Sequence, residues 1–243
     1  MVARAAASDD SESTTELQAT PYRPTVSNPA ALPVPHHLEW EAGGISLQGH
    51  GDDRRASVPY LLKYAFNEDV GVLVSGEGYV SSRTAGETAD GFGDTTVSLK
   101  LHHAVTQLTA LGLEAGVKLP TASTAIGSGH TDYTLNGILS TQAIGCDIDI
   151  NAGYTTLGAT DPGTHRHVLL WATAASRDVT ERWGLDGEFS GTHQGGVPNQ
   201  AQFLGAVTYS AAPTVVLDAG ALAGLDSGAP RYGVFAGLTV LVP

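Results

Sequence analysis

Residues 111–119 read LGLEAGVKL, and their apolar and polar side chains alternate strictly. Alternation with a period of two is typical of a β-strand whose two faces meet different surroundings. One face carries Leu111, Leu113, Ala115, Val117 and Leu119, and the other carries Gly112, Glu114, Gly116 and Lys118. The stretch therefore predicts a strand with one fully apolar face and one face that holds charge.

The same pattern recurs from Leu38 to the end of the chain. We count about twelve alternating segments separated by turn residues, an even number as in single-chain bacterial barrels. They begin near Leu38, Ala56, Val70, Thr95, Leu108, Asp132, Asp147, His167, Arg182, Ala201, Thr214 and Arg231. No long segment keeps helical spacing, so the sequence predicts an all-β protein.

The connections between these segments alternate in length. The long ones, rich in Gly, Pro and charge, cover 48–55, 82–94, 120–131, 157–166, 193–200 and 225–230, and the short ones cover 67–69, 103–107, 143–145, 176–181 and 211–213. Outer-membrane barrels have long outer loops and short periplasmic turns. We therefore predict an up-and-down antiparallel transmembrane β-barrel with both termini on the periplasmic side.

Composition and charge narrow the classes of function. The chain is 42% hydrophobic and only 15% charged, and no stretch approaches the roughly 18 apolar residues of a membrane helix. A net charge of −13 argues against a nucleic-acid partner, which needs basic residues at its phosphates. The single cysteine, Cys146, excludes an intrachain disulfide and a thiolate-based metal site.

The first 36 residues differ from the rest. An acidic run at 8–13 is followed by Pro21, Pro24, Pro29, Pro33 and Pro35, which block helix and sheet. We predict a disordered acidic, proline-rich segment at 1–36 and a barrel at 37–243. Residues 1–7 are too short for the apolar core of a secretion signal, so the signal was removed, the start is misassigned, or the outer-membrane location is wrong.

The polar face collects the charge of the predicted strands. Strand parity places these residues in the lumen as candidate pore-lining positions: Glu41, Lys63, Glu77, Lys100, Glu114, Lys118, Asp132, Asp149, Asp186 and Glu188. The opposite face is almost purely apolar, as lipid contact requires. The lumen is predicted to be either a wet channel lined by both signs of charge or a narrow space filled by an ion-pair network.

The sequence predicts no catalytic residues, no metal site and no cofactor. Adjacent His102 and His103 face opposite sides of a strand, and no carboxylate completes a site with His165 and His167. An esterase would need a Ser–His pair facing lipid, whereas Ser98 and His102 face the lumen. We therefore expect that the protein is not an enzyme.

Several stretches resemble the outer-membrane transporter family named after the meta-pathway of phenol degradation. These are residues 37–41 (HLEWE), 58–64 (VPYLLKY), 91–100 (GFGDTTVSLK), 118–121 (KLPT) with 127–132 (GSGHTD), and 217–225 (LDAGALAGL) with 229–231 and 237–239. The resemblance runs from about Leu38 to Val242. It implies an outer-membrane barrel with a transport role, and aromatic compounds as one class of solute.

The sequence thus predicts a bacterial outer-membrane channel or transporter for small solutes, in contact with outer-membrane lipid. One alternative is a structural or adhesive barrel with a plugged lumen, whose acidic loops bind a partner. Another is a soluble β-sandwich that binds a ligand, although its core would then bury unpaired charges at high cost. The oligomeric state is left open by the sequence.

Overall fold

The structure, a computed structural model, describes residues 17–242. Its strands are β1 (Leu38–Gln48), β2 (Arg54–Ala65), β3 (Val70–Thr84), β4 (Glu87–Gly91), β5 (Thr95–Ala104), β6 (Thr109–Leu119), β7 (Asp132–Ala143), β8 (Cys146–Thr156), β9 (His167–Asp178), β10 (Trp183–Gln194), β11 (Gln200–Ala212), β12 (Val215–Gly224) and β13 (Tyr232–Val242). The described residues include no helix that is long and apolar enough to cross a membrane.

Twelve of these strands close into an antiparallel barrel, and only β4 lies outside its ring. Within the ring each strand pairs with the next one along the chain, and β3 pairs with β5 because β4 lies outside the ring. The ring closes where β1 pairs with β13 along its whole length, from Leu38 opposite Val242 to Gln48 opposite Tyr232. The prediction of about twelve strands in an up-and-down barrel is confirmed, and the sandwich alternative is wrong because the described strands form one closed sheet.

Side chains divide between the two faces of the barrel wall as the alternation predicts. In β6, Leu113 is 41% exposed on the outer face, whereas its neighbour Glu114 is 8% exposed on the inner face. Leu99, Leu111, Leu135 and Leu185 are likewise exposed. An apolar exterior around a charged interior is the inverse of a soluble protein and suits a barrel that faces lipid.

The two ends of the barrel differ. Connections 66–69, 105–108, 144–145, 179–182 and 213–214 lie at one end, here called the short-turn end, together with the start of β1. Connections 49–53, 120–131, 157–166, 195–199 and 225–231 lie at the other, the long-loop end. The predicted alternation of long and short connections is therefore present in the structure.

The connection predicted as a loop at 82–94 is partly a β-hairpin. Strand β3 continues to Thr84 and pairs with β4, from Thr84 opposite Glu87 to Val80 opposite Gly91. The two residues between the strands, Ala85 and Gly86, both have positive φ angles, 51° and 90°. Two such residues form the tight turn whose twist matches a hairpin, and this explains why the strand extends beyond the barrel ring.

Aromatic side chains cluster near both ends of the barrel. At the short-turn end, Tyr64 packs against Phe66 with ring centroids 5.4 Å apart, and Trp183 packs against Tyr209 at 4.8 Å. Exposed Tyr133, Tyr154 and Tyr232 lie at the strand ends near the long loops. Amphipathic rings at two levels suit the two interfaces of a membrane.

The N-terminal segment departs from its prediction. Residues 1–16 lie outside the described part of the chain. Residues 17–36, predicted to be disordered, are instead placed inside the barrel, where Tyr22, Ser27 and Ala30 are buried. We call residues 17–36 the luminal segment. The segment forms no strand and only one isolated bridge to the sheet, between Pro35 and Ala65, but polar groups of the barrel wall supply hydrogen bonds that the sequence pattern does not reveal.

Candidate functional site: the barrel lumen

The structure places the ten predicted lumen residues on the inner face of the wall. Glu41, Lys63, Lys100, Glu114, Asp132 and Glu188 are buried, and Glu77, Lys118, Asp149 and Asp186 are partly buried. Their role in lining a conducting pore stays a prediction.

One charge cluster lies near the short-turn end, on β1 and β2. The ammonium group of Lys63 is fully buried and lies 2.5 Å from a carboxylate oxygen of both Glu39 and Glu41. These residues meet because Glu39 lies opposite Lys63 in the β1–β2 register, and Glu41 is two residues further along the same face. Two carboxylates around one ammonium leave a net negative cluster, which attracts donors from the lumen.

A second cluster lies at mid-height on β5 and β6. Lys100 is fully buried and lies 3.0 Å from Glu114, which is directly opposite it in the β5–β6 register. Asn136 on β7 donates to Glu114 at 3.3 Å and to Asn151 on β8 at 2.9 Å. The cluster therefore runs as one hydrogen-bonded band across four neighbouring strands.

Ion pairs also line the long-loop end. The guanidinium of Arg55 donates two hydrogen bonds, of 2.7 and 2.6 Å, to Glu77 on the adjacent strand. Lys118 lies 3.1 Å from Asp94 and 2.7 Å from Asp132. These groups are more exposed than the mid-height cluster, so the long-loop half of the lumen is open to water.

Three of the ten predicted lumen residues are carboxylates that form no salt bridge among the described residues. Asp149, Asp186 and Glu188 lie on the inner face of β8 and β10, and they form no salt bridge there. Asp149 accepts a short hydrogen bond from Ser140. This side of the lumen therefore carries uncompensated negative charge.

The luminal segment enters and leaves the barrel at the short-turn end. Its start is held by Ala19, whose amide donates to the carbonyl of Pro213 at 2.9 Å, and its end by His36, whose amide donates to the carbonyl of Ala65 at 2.9 Å. Between these points the segment bends at Val26 and Ser27 and reaches mid-height, where Asn28 contacts Glu114. It therefore occupies the half of the lumen that opens at the short-turn end.

Carboxylates of the wall bind the main chain of the segment. Glu41 accepts hydrogen bonds from the amides of Tyr22 and Arg23, at 2.7 and 3.0 Å, and Glu188 accepts one from the amide of Ser27 at 2.7 Å. Glu39 accepts one from the amide of Thr20 at 2.8 Å. Buried donors need such partners, and charged acceptors give stronger bonds than neutral ones.

The tip of the segment is held by the mid-height cluster. The side-chain amide of Asn28 donates to both oxygens of Glu114, at 3.0 and 3.1 Å, while Asn151 donates to the carbonyl of Asn28 at 2.9 Å. Lys100 donates to the carbonyl of Pro29 at 2.6 Å. The groups predicted to line a pore are therefore used to bind this segment.

Tyr22 is the central side chain of the luminal segment and is only 3% exposed. The ammonium groups of Lys63 and Lys100 lie over its ring, 3.9 and 4.0 Å from the centroid. Such cation–π contacts are strongest when they are desolvated, as here. Burial, with the nearby Glu114 and other carboxylates, raises the pKa of the Tyr22 phenol well above its ordinary value, so the ring stays neutral.

Cavities remain beside the segment. One of about 320 Å³ lies between the segment and strands β8–β12, and its wall includes Asp149 and Asp186. Another of about 130 Å³ borders Tyr22, Arg23 and Pro59. The segment therefore narrows the lumen without filling it to the density of a protein core.

Several residues of the site were not predicted. Glu39 and Asp218 lie on the inner face of β1 and β12. The sequence signal for Glu39 is its position two residues before Glu41, on the same face of β1. The signal for Asp218 is its position next to Leu217, which is exposed on the opposite face of β12. Tyr22 and Asn28 lie in a stretch without periodicity, so no sequence pattern marks them. Among residues 17–242, no group of three or more His, Cys, Asp or Glu side chains could hold a metal ion.

The chain matches a known protein family. The model of the family described as "Putative MetA-pathway of phenol degradation" matches residues 61–242, most of the chain. The chain belongs to this family. The resemblance found in the sequence is thereby confirmed. Among curated proteins, none matches the chain.

Solved structures of the same fold are outer-membrane channels. An outer membrane channel from Pseudomonas putida F1 aligns with a TM-score of 0.69 at 12% identity, covering 94% of this chain and 98% of that one. NanC porin aligns at 0.58 with 8% identity, covering 84% and 98%. KdgM porin in complex with oligogalacturonate aligns at 0.55 with 7% identity, covering 84% and 98%. At these identities the likeness establishes the fold, a barrel like those of outer-membrane porins and channels.

Proposed function

We propose that this protein is a channel of the bacterial outer membrane that conducts small solutes through its lumen and has no enzymatic activity. The observation that carries the proposal is the division of its surface. The outer face of a closed barrel is apolar and exposed, while the inner face holds charged side chains on nearly every strand. Such a barrel is stable in lipid and offers a polar path across it.

The distribution of charge supports polar solutes. Ten of the inner positions were predicted from strand parity, and the carboxylates among them outnumber the lysines. Asp149 and Asp186 line a cavity beside the luminal segment and have no basic partner among the described residues. A low-dielectric wall focuses the field of such groups, so we expect cations and neutral polar solutes to pass more readily than anions.

A more specific part of the proposal is that the solutes include aromatic compounds. What supports them is the environment of Tyr22, an aromatic ring already held in the lumen beneath two lysine ammonium groups. The same two lysines are available to a small aromatic solute when Tyr22 is absent from its position. We therefore propose that aromatic compounds with polar substituents are among the solutes.

The two ends of the barrel support a proposed orientation in the membrane. The long-loop end faces the cell exterior and the short-turn end faces the periplasm, as in other outer-membrane barrels. The exposed apolar side chains of the wall, Leu99, Leu113 and Leu185 among them, contact membrane lipid. The aromatic clusters then lie at the two interfaces.

A structural barrel with a plugged lumen is the second candidate. The observation that favours it is the burial of Lys63 and Lys100 at 0% exposure, since ion pairs and the luminal segment close one half of the lumen around them. It predicts a barrel that inserts correctly and conducts nothing. Conductance separates the two candidates directly.

The experiment is reconstitution of the purified full chain in planar lipid bilayers and in liposomes. We expect discrete conductance steps, with a reversal potential in a salt gradient that shows preference for cations, and swelling of liposomes in small polar solutes. Boiling-dependent mobility on a gel verifies that the barrel is folded. A folded barrel with no conductance and no solute flux would overturn the channel and leave the structural barrel.

A further inference from the structure

We propose that the luminal segment is a gate: residues 17–36 close the lumen from the short-turn end when they are docked and open it when they leave. The inference rests on the proposed channel function, because a gate requires a path to close. It concerns how that path is regulated. It is carried by the way the segment is attached, by the groups left without partners at its tip, and by the cavities around it.

Apart from an isolated β-bridge between Pro35 and Ala65 at its end, the segment is attached by side chains of the wall and not by strand pairing. Within residues 17–242, the main-chain hydrogen bonds from the segment to the wall are those at its two ends, from Ala19 to Pro213 and from His36 to Ala65. Between them the segment is held by side chains of the wall, most of them charged or amide groups such as Glu41, Glu188 and Asn151, together with the hydroxyl of Ser140. Departure of the segment therefore breaks no strand ladder and leaves the barrel closed.

The bonds that hold the segment are ones that water can replace. They are hydrogen bonds to carboxylates, ammonium groups and amides, and these groups are solvated when a lumen is wet. Apolar burial contributes little, because the buried apolar side chains of the segment are few and small apart from Tyr22. An element held mainly by exchangeable polar contacts belongs to the less stable part of a structure.

Docking also leaves polar atoms without partners at the tip. The hydroxyl oxygen of Ser27, one carboxylate oxygen of Glu188 and the carbonyl oxygen of Asn136 are buried and accept or donate no hydrogen bond within the described structure. A buried polar group without a partner is unfavourable, and hydration on release removes that cost. The tip of the docked segment is therefore held less favourably than its two ends.

Tyr22 holds the segment in its docked position. Its ring lies beneath the ammonium groups of Lys63 and Lys100, and its hydroxyl donates to the carbonyl of Ala31 on the returning arm of the segment at 2.5 Å. Lys63 also donates to the carbonyl of Thr20 at 2.5 Å. One side chain thus joins the two arms of the segment to the two lysine clusters of the wall.

A disulfide that locks the segment tests the gate. A Cβ atom built on Gly112 would lie 3.3 Å from the Cβ of Ala30, slightly below the range of about 3.5–4.5 Å for a disulfide, so a small outward shift of the segment allows the bond. The variant is Ala30→Cys with Gly112→Cys in a Cys146→Ser background, since Cys146 is a free thiol. In bilayers we expect the oxidised barrel to lose conductance and the reduced barrel to regain it.

A second measurement follows the segment itself and is independent of solute flux. Ser27→Cys in the same background places a thiol at a buried position of the tip, and a membrane-impermeant maleimide reports its exposure. Adding Tyr22→Ala is expected to raise the labelling rate about tenfold, because the loss of a desolvated cation–π contact favours release. Tyr133→Ala, at an exposed tyrosine of the outer face, is the matched control and is expected to leave the rate unchanged.

The outcomes separate the gate from the channel. Equal conductance of the oxidised and reduced disulfide variants would overturn the gate while the channel stands. Labelling of Ser27→Cys that is equally slow with and without Tyr22→Ala would also overturn it. A third outcome is that Tyr22→Ala raises the labelling rate of Ser27→Cys, but the barrel never conducts, even with the disulfide reduced. This result would overturn the channel, because the segment would then move without a path to regulate.

Discussion

Arg23 binds both carboxylate oxygens of Asp218, with Nε and Nη2 each 3.0 Å from one oxygen, although the residues are 195 positions apart in sequence. Asp218 lies on β12 and Arg23 on the rising arm of the luminal segment. Both side chains are largely buried, at 17% and 3% exposure. A planar, bidentate pair of this kind fixes the orientation of the segment as well as its position.

Asp218→Asn is expected to loosen the segment and leave the barrel intact. The change leaves the guanidinium of Arg23 without its counter-charge, at a cost of about 3 kcal/mol for a pair that is mostly buried. We expect faster maleimide labelling of Ser27→Cys in this variant. The matched control is Glu77→Gln, which breaks the bidentate pair with Arg55 at the long-loop end, far from the segment. Equal acceleration by both changes would contradict a specific role for Asp218.

Gly237→Ala is expected to weaken the ion pair between Arg23 and Asp218 by a steric clash. A Cβ at this position would lie 2.5 Å from Nε of Arg23 and 2.7 Å from the carbonyl oxygen of Ala42, closer than such atoms can approach. Both the arginine and the main chain of β1 must therefore shift, and we expect release of the segment to increase. Gly44→Ala is the control, since nothing lies within 4 Å of a Cβ there. Maleimide labelling of Ser27→Cys distinguishes the two variants. An unchanged labelling rate in Gly237→Ala would contradict the close packing of Arg23 against Gly237.

Lys100→Met is expected to destabilise the folded barrel by about 3–5 kcal/mol, because it leaves the buried Glu114 without its ammonium partner. Denaturant unfolding of the protein in detergent measures this loss. The double variant with Glu114→Gln removes both charges and is expected to recover a large part of the stability. A double variant as unstable as the single one would show that Lys100 acts through Tyr22 and Pro29 and not through Glu114.

Leu113→Arg is expected to impair membrane insertion by about 2–4 kcal/mol, since it places a charge on the lipid face near the middle of β6. Leu119→Arg, on the same face at the last residue of the strand, is expected to cost about 0–1 kcal/mol because it reaches the interface. The heat-modifiable fraction in isolated outer membranes measures both. Similar losses in the two variants would show that depth in the membrane does not govern the effect.

The barrel was predictable because each strand lies between two different surroundings. In β6, lipid selects the leucines and the lumen selects Glu114 and Lys118, so the contrast appears directly as a period of two in the sequence. The β3–β4 hairpin was missed because its strands extend beyond the ring at the long-loop end. There, the exposed side chains of Arg83, Glu87 and Thr88 no longer alternate in polarity.

The luminal segment was not predictable from its own residues. Its order depends on Glu41, Glu114 and Glu188, which approach it only after the barrel has closed. The prolines indicated correctly that the stretch forms neither helix nor strand. That property describes the backbone of the segment and carries no information about the polar wall that receives it.

The five prolines of the luminal segment have a consequence for assembly of the barrel. A proline has no amide hydrogen and cannot donate to a strand ladder, so residues 21–35 cannot be added to a sheet edge along their length. Until β1 pairs with β13, both strands present open edges, and the segment is the piece of chain nearest to β1. Its composition therefore protects the closing seam from a competing strand that is always close by.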